Sequence, residues 1–155
     1  MGFLNSIDTS ASGLTAQRLR MDTIASNMAN VETTRVDNRA GPYRRQVVVF
    51  EARNASAPKK RFQRFLEEQS QAFNAANSGV RVKQIREINE NEAPYRRVYD
   101  PSHPEADNEG YVNYPNVNIV EEMINMISAA RAYEANAQVI EAAKSMAMRA
   151  LDIGR

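Results

Sequence analysis

The sequence has no cysteine, no tryptophan and a single histidine, His103. Without cysteine there are no disulfides, no thiolate nucleophile and no Cys-based zinc site. The one imidazole lies in the most turn-rich part of the chain, so a serine-type triad lacks a natural base. Glycine and proline are scarce at six each in 155 residues, which excludes a low-complexity chain. Neither sign of charge dominates. Twenty Lys and Arg against nineteen Asp and Glu leave a formal charge of +1, too little to draw the chain to nucleic acid or an anionic membrane. No apolar run approaches the roughly 18 residues that span a bilayer. The N-terminus has no basic stretch ahead of an apolar one, and Asp8 and Arg18 interrupt any such run. We therefore expect a chain that stays in the cytoplasm or leaves it by a route without a cleaved signal peptide. No phosphate-binding loop, dinucleotide fingerprint or H-E-x-x-H is present, so neither an enzyme nor a cofactor is expected.

What is present is helical periodicity at both ends. Ile7, Leu14, Met21 and Met28 recur every seven residues, with Phe3, Ile24 and Val31 on a second row that also carries Ser10 and Gln17. Leu4, Ala11 and Ala25 flank the first row, and Ser12, Thr15, Asp22 and Asn30 lie opposite. These rows predict one apolar stripe on a helix over residues 4–30, in which Gly13 costs about 1 kcal/mol relative to Ala. Near the other end, Val120, Met123, Ile127, Ala130, Tyr133, Ala137, Ile140, Ala147 and Leu151 follow i, i+3, i+4 spacing. Asn118 three residues before Glu121 reads as a capping box, and Gly154 as the stop, with Arg149 placed to favour the C-terminal dipole.

The middle reads differently. Gly41-Pro42 breaks the chain. Residues 43–52 are β-branched and aromatic, residues 80–88 begin in strict alternation, and residues 94–101 and the phrase YVNYP read as two further short strands. The expected fold class is α+β: long N- and C-terminal helices pairing as a coiled coil, with a small β-rich insert. The expected division is 1–31 for the first helix, 32–113 for the connector and middle domain, and 114–155 for the second helix.

Two stretches carry weak chemical signals. His103 sits among Asp100, Glu105 and Asp107, but one imidazole with loop carboxylates reads more simply as a polar turn, and no metal site is expected. PKKRFQRF, residues 58–65, interleaves basic and aromatic residues as single-strand binders do. With so small a net charge it reads instead as an exposed loop or a rim that meets acidic subunits. The similar phrases YRRQ and YRRV, at Tyr43 and Tyr95, suggest paired surface strands.

Residues 10–34, SASGLTAQRLRMDTIASNMANVETT, resemble the N-terminal signature of flagellar axial proteins, with Asn27, Asn30 and Thr33 filling its Asn-x-x-Asn-x-x-Thr phrase. Residues 99–140, from YDPSHPEADNEG to NAQVI, resemble more closely the proximal-rod branch of that family, the basal-body rod proteins of the C type. The resemblance is weakest over residues 53–78. It implies a structural subunit of the bacterial flagellar basal body, in a rod that crosses the periplasm and transmits torque. It implies export through the flagellar type III apparatus without a cleaved signal peptide. The implied partners are copies of the chain, other proximal-rod proteins, the rod adaptor and the distal rod, with no nucleic acid, no small-molecule substrate and no membrane insertion. The Asn-x-x-Asn-x-x-Thr phrase would be a turn that sends the chain out of the helix, aided by the tolerance of Asn for left-handed backbone. The residues expected to pack subunits together are Leu4, Ile7, Leu14, Met21, Ile24 and Met28 in the first helix and Val120, Met123, Ile127, Tyr133, Ile140 and Leu151 in the second. The rival expectation is a free-standing helical hairpin that serves as an adaptor for partner coiled coils.

Overall fold

The structure is a computed structural model that describes residues 3–36, 41–53 and 79–154; the basic phrase at 58–65 lies outside the described residues. The elements run α1 (Phe3–Ala29), β1 (Gln46–Ala52), β2 (Val80–Glu87), β3 (Arg96–Tyr99), β4 (Tyr111–Tyr114) and α2 (Ile119–Ile153). The strands form two separate two-stranded sheets, β1 with β2 and β3 with β4. The fold is thus α+β, with terminal helices and small antiparallel strand pairs between them. YRRQ and YRRV do not pair as strands. They are linked by side chains instead, Arg44 Nε donating to the Tyr95 hydroxyl at 3.0 Å.

Two compact units divide the chain, and each helix contributes to both. The first comprises residues 1–18, 50–83 and 131–155. Here Gly13 faces Asn136, so that a Cβ on Gly13 would stand 3.0 Å from the Asn136 amide. The glycine that weakens α1 as a helix is what lets α2 approach. Ser12 Oγ donates to Thr9 O at 2.6 Å and accepts from the Val80 amide at 3.0 Å. Gly79 is buried against that hydroxyl, with no room for a Cβ. Arg53 pairs with Asp8, and the Arg53 amide donates to Gly79 O at 2.6 Å, joining the end of β1 to the start of β2.

The second unit comprises residues 19–49 and 84–130. Arg20 Nη2 donates to Asn125 Oδ1 at 3.3 Å and Asn27 reaches Glu122 at 3.1 Å, so α1 and α2 run in opposite directions here. α2 opens on Asn118, whose Oδ1 accepts from the Val120 amide at 3.0 Å and the Glu121 amide at 3.5 Å. Only half of the capping box forms, because the Glu121 carboxylate turns to Arg45 instead of reaching back to the cap. At the far end of α2 the last turn holds no basic residue, and Gly154 is not among the glycines with positive φ. The helix stops at Ile153, immediately before Gly154 as the sequence suggests, but Arg149 lies before the last turn and does not serve there as a dipole partner.

The β3–β4 hairpin pairs Arg96 with Tyr114, Arg97 with Asn113, Val98 with Val112 and Tyr99 with Tyr111. Val112 is its one fully buried side chain, and the Tyr99 and Tyr111 rings meet edge to face at 5.3 Å. The connecting loop is held by two aspartates. Asp100 Oδ1 accepts from the Ser102 amide and hydroxyl, and Asp107 Oδ1 accepts from the Glu109 and Tyr111 amides. Gly110, at φ 83°, supplies the left-handed turn into β4.

Candidate functional site

The helix interface differs from the apolar stripe that periodicity suggests. The fully buried positions of α1 are Ser10, Ala16, Thr23, Ile24 and Asn27, and those of α2 are Glu122, Ala129 and Ala143. All of these but Ile24 are small or polar residues. The heptad row Ile7, Leu14, Met21 and Met28 flanks the buried face of α1 and is half-buried along its length. A strict seven-residue row drifts about 20° per repeat around a straight helix, so it cannot follow one seam. Leu4 lies in α1, but its side chain is outside the described residues. In α2, Ile140 is half-buried, while Val120, Met123, Ile127, Tyr133 and Leu151 are exposed.

Asn27 is the centre of the second unit. It is 1% exposed and uses its full hydrogen-bonding capacity. Its Oδ1 accepts from the Gln46 amide at 2.9 Å and the Tyr43 hydroxyl at 3.0 Å. Its Nδ2 donates to Gln46 O at 2.8 Å and to Glu122 Oε2 at 3.1 Å. The side-chain amide therefore serves Gln46 as a neighbouring strand would, giving it both a donor and an acceptor. Glu122, also 1% exposed, holds Arg45 through Oε1, with Nε at 2.8 Å and Nη2 at 2.5 Å. Arg45 Nη2 also reaches Glu121 at 2.8 Å, and the Arg45 amide donates to Asn116 Oδ1 at 3.2 Å. Burial works to lower the Arg45 pKa, but the hydrogen bonds from Glu122 and Glu121 outweigh it, so the guanidinium is held more firmly charged than usual. A buried carboxylate is costly unless paired and hydrogen-bonded, and Glu122 is both.

The rest of the Asn-x-x-Asn-x-x-Thr phrase closes α1. Asn30 Nδ2 donates back to Ser26 O at 2.9 Å, and Thr33 Oγ1 donates to Asn30 Oδ1 at 3.1 Å. The Thr33 amide bonds Asn30 O, and Thr33 O accepts the Tyr43 amide at 3.0 Å. No non-glycine residue among those described has positive φ. The phrase therefore turns the chain through side-chain bonds and not through the left-handed backbone expected of Asn. Sequence reading places Asn27, Asn30 and Thr33 at one site but misses Glu122 and Arg45. Glu122 looks like an ordinary first-turn acid. Its one distinguishing mark is that it shares a seven-residue row with Ala129, Asn136 and Ala143.

His103 lies in the hairpin loop, where Nδ1 accepts the Glu105 amide at 3.1 Å and the ring tilts toward Tyr114. Among the described residues no group of three or more His, Asp or Glu could hold a metal. No helix among them is long and apolar enough to cross a membrane.

Two family models match the chain: the flagella basal body rod protein model at residues 7–35, and the C-terminal model of the flagellar basal body rod FlgEFG proteins at residues 108–153. The first covers the Asn27 phrase and the second covers Glu122. Among curated relatives, the flagellar basal-body rod protein FlgC of Borreliella burgdorferi is 46% identical over 99% of this chain and 98% of its own length. The Bacillus subtilis FlgC is 41% identical over the whole of both chains. The FlgC of Escherichia coli O157:H7 is 38% identical, again over the whole of both. Similarity of this extent, over the whole or nearly the whole of each chain, makes the chain a member of the FlgC family of flagellar basal-body rod proteins.

Proposed function

We propose that this structural subunit of the flagellar basal-body rod joins its neighbours through the outward apolar residues of its terminal helices, which pair as an inner coiled-coil layer. The observation that carries this is a patch on α2. Val120, Met123, Ile124 and Ile127 stand at i, i+3, i+4 and i+7 and are 65, 50, 63 and 54% exposed. Glu122 and Ala129, the buried residues of the same stretch, lie on the opposite side of the helix. A continuous apolar patch of this kind marks an interaction surface. The half-buried row Ile7, Leu14, Met21 and Met28 supplies the corresponding surface of α1, while Ile24 is buried within the chain itself. Tyr133, Ile140 and Leu151 lie on the other side of α2, in line with Glu122, and are proposed as separate contacts toward its C-terminal end.

In this reading residues 1–31 and 114–155 form the inner layer and 32–113 the middle domain. Met-rich surfaces adapt to slightly different neighbours, which suits contacts with copies of the chain, other proximal-rod proteins, the rod adaptor and the distal rod. Head-to-tail contacts that do not close on themselves generate a helical shaft able to carry torque. The chain reaches the rod through the flagellar type III export apparatus, threaded unfolded, so its apolar surfaces need no cover in transit.

The test compares Met21→Asp with Thr15→Asp, an exposed position off the row. Burying a Met side chain contributes about 1.5–3 kcal/mol, and a carboxylate buried there without a partner costs several kcal/mol more. Met21→Asp is expected to be exported but to remain outside the rod, with motility lost. Thr15→Asp is expected to assemble, since exposed substitutions usually stay within about 0.5 kcal/mol. Equal assembly of the two would remove the seam from this account and favour a free-standing helical-hairpin adaptor.

A further inference from the structure

We infer that Glu122, clamped between Asn27 and Arg45, is a register lock that gives α1 and α2 a single alignment. The argument begins with what the rest of the interface lacks. The row of α2 that faces α1 is Glu122, Ala129, Asn136 and Ala143, one residue every seven, all buried except the half-buried Asn136, and three of the four are small or neutral polar. Large interdigitating side chains, which normally fix helix register, are absent from that row. Sliding α2 by one heptad would bring Ala129 to the level of Asn27, where a methyl group meets no steric obstacle. Several contacts distinguish the two alignments, the part-buried Arg20–Asn125 bond among them, and Glu122 is the fully buried one. In the slipped one, Asn27 Nδ2 loses its acceptor, and Arg45 loses the carboxylate that its Nε and Nη2 both hold. Buried polar groups add little net stability over apolar replacements, and their best-attested role is to select one register.

Arg45 makes the lock three-sided. It stands immediately before β1, its amide is fixed to Asn116, and its carbonyl accepts the Ile88 amide at 2.8 Å. The carboxylate of α2 is thus positioned against α1 on one side and against the base of the β1–β2 ribbon on the other. Subunits placed by helical symmetry must be alike, and a single helix alignment supplies that sameness before any neighbour is met.

The test uses the absence of native cysteine. Cysteines introduced at exposed Asp22 and Ser128 carry spin labels at those two positions alone, and the distance distribution between them is recorded on the full chain. The unsubstituted interface is expected to give one narrow population. Glu122→Ala turns the α2 row into near-identical repeats and is expected to add a second population, displaced by up to about 10 Å, the length of seven helical residues. Glu122→Gln keeps the shape and an acceptor for Asn27 and is expected to keep the single population. If Glu122→Ala does not fold because Arg45 is left unpaired, Glu122→Ala with Arg45→Leu takes its place with the same expectation. A narrow, unshifted population in the single or the double variant overturns the lock, as does a broad one in the unsubstituted chain. Collapse of both variants overturns it too, since the cluster would then serve stability and not alignment. None of these outcomes depends on rod assembly, so the lock and the proposed packing surface can fail separately.

Discussion

At the scale of single residues, two asparagines three positions apart do different work. Asn27 satisfies both backbone groups of Gln46, the Tyr43 hydroxyl and one oxygen of Glu122. Asn30 serves the end of its own helix. Leaving a buried polar group without a partner costs about 1–3 kcal/mol, whereas an ordinary hydrogen bond contributes about 1 kcal/mol. Asn27→Ala is therefore expected to destabilise the chain by about 3 kcal/mol or more and Asn30→Ala by about 1 kcal/mol. Urea denaturation read as a shift in midpoint at constant slope measures both; similar losses for the two would show that the cluster holds no special weight.

At the scale of elements, most of the architecture was legible in the sequence because the periodicities of helix and strand are local. β1 is the instructive exception. β propensity begins at Tyr43, yet the strand begins at Gln46, because the Tyr43 amide is taken by Thr33 O and the Arg45 amide by Asn116. Those partners lie 10 and 71 residues away, beyond the reach of a propensity argument. The polar cluster was half legible for the same reason: a local phrase resembling a family signature points to Asn27, but Glu122 and Arg45 gain their meaning only when three distant elements meet. The β3–β4 hairpin adds a dependence on pH. The Tyr111 amide, above all, and then the Glu109 amide and Arg97 hold the Asp107 carboxyl below the usual carboxylate range; the Ser102 hydroxyl and then its amide do so for Asp100. Each carboxyl is more acidic folded than unfolded, so its contribution is complete above the usual range and is lost as pH falls through the depressed value. Protection of the Tyr111 and Glu109 amides, taken relative to their intrinsic exchange rates, is expected to fall across that window. Asp107→Asn is expected to abolish the transition; an unchanged acid transition in that variant would assign it elsewhere.

At the scale of the whole molecule, the chain carries more apolar surface than it covers. Sequence periodicity leads to the expectation that residues 4–30 and 118–152 of the free protein are little protected, since helices without packing are marginal in water. The Asn27 cluster makes a local exception. Hydrogen exchange on the dilute chain is expected to show protection concentrated around residues 23–30 and 119–129, fading toward Ile7 and Leu151. Leu151 is 71% exposed and Ile153 87%. Uniform strong protection to both ends would describe a self-sufficient hairpin and count against an assembly-dependent one.

The bond from the Arg53 amide to Gly79 O has a consequence for engineering. It sets residues 53 and 79 side by side, just where Gly79 has no room for a Cβ against the Ser12 hydroxyl and the Val80 amide binds that same hydroxyl. Any redesign of the β1–β2 pair therefore has to keep glycine at 79 and a small hydroxyl residue at 12, or the start of β2 is pushed off α1.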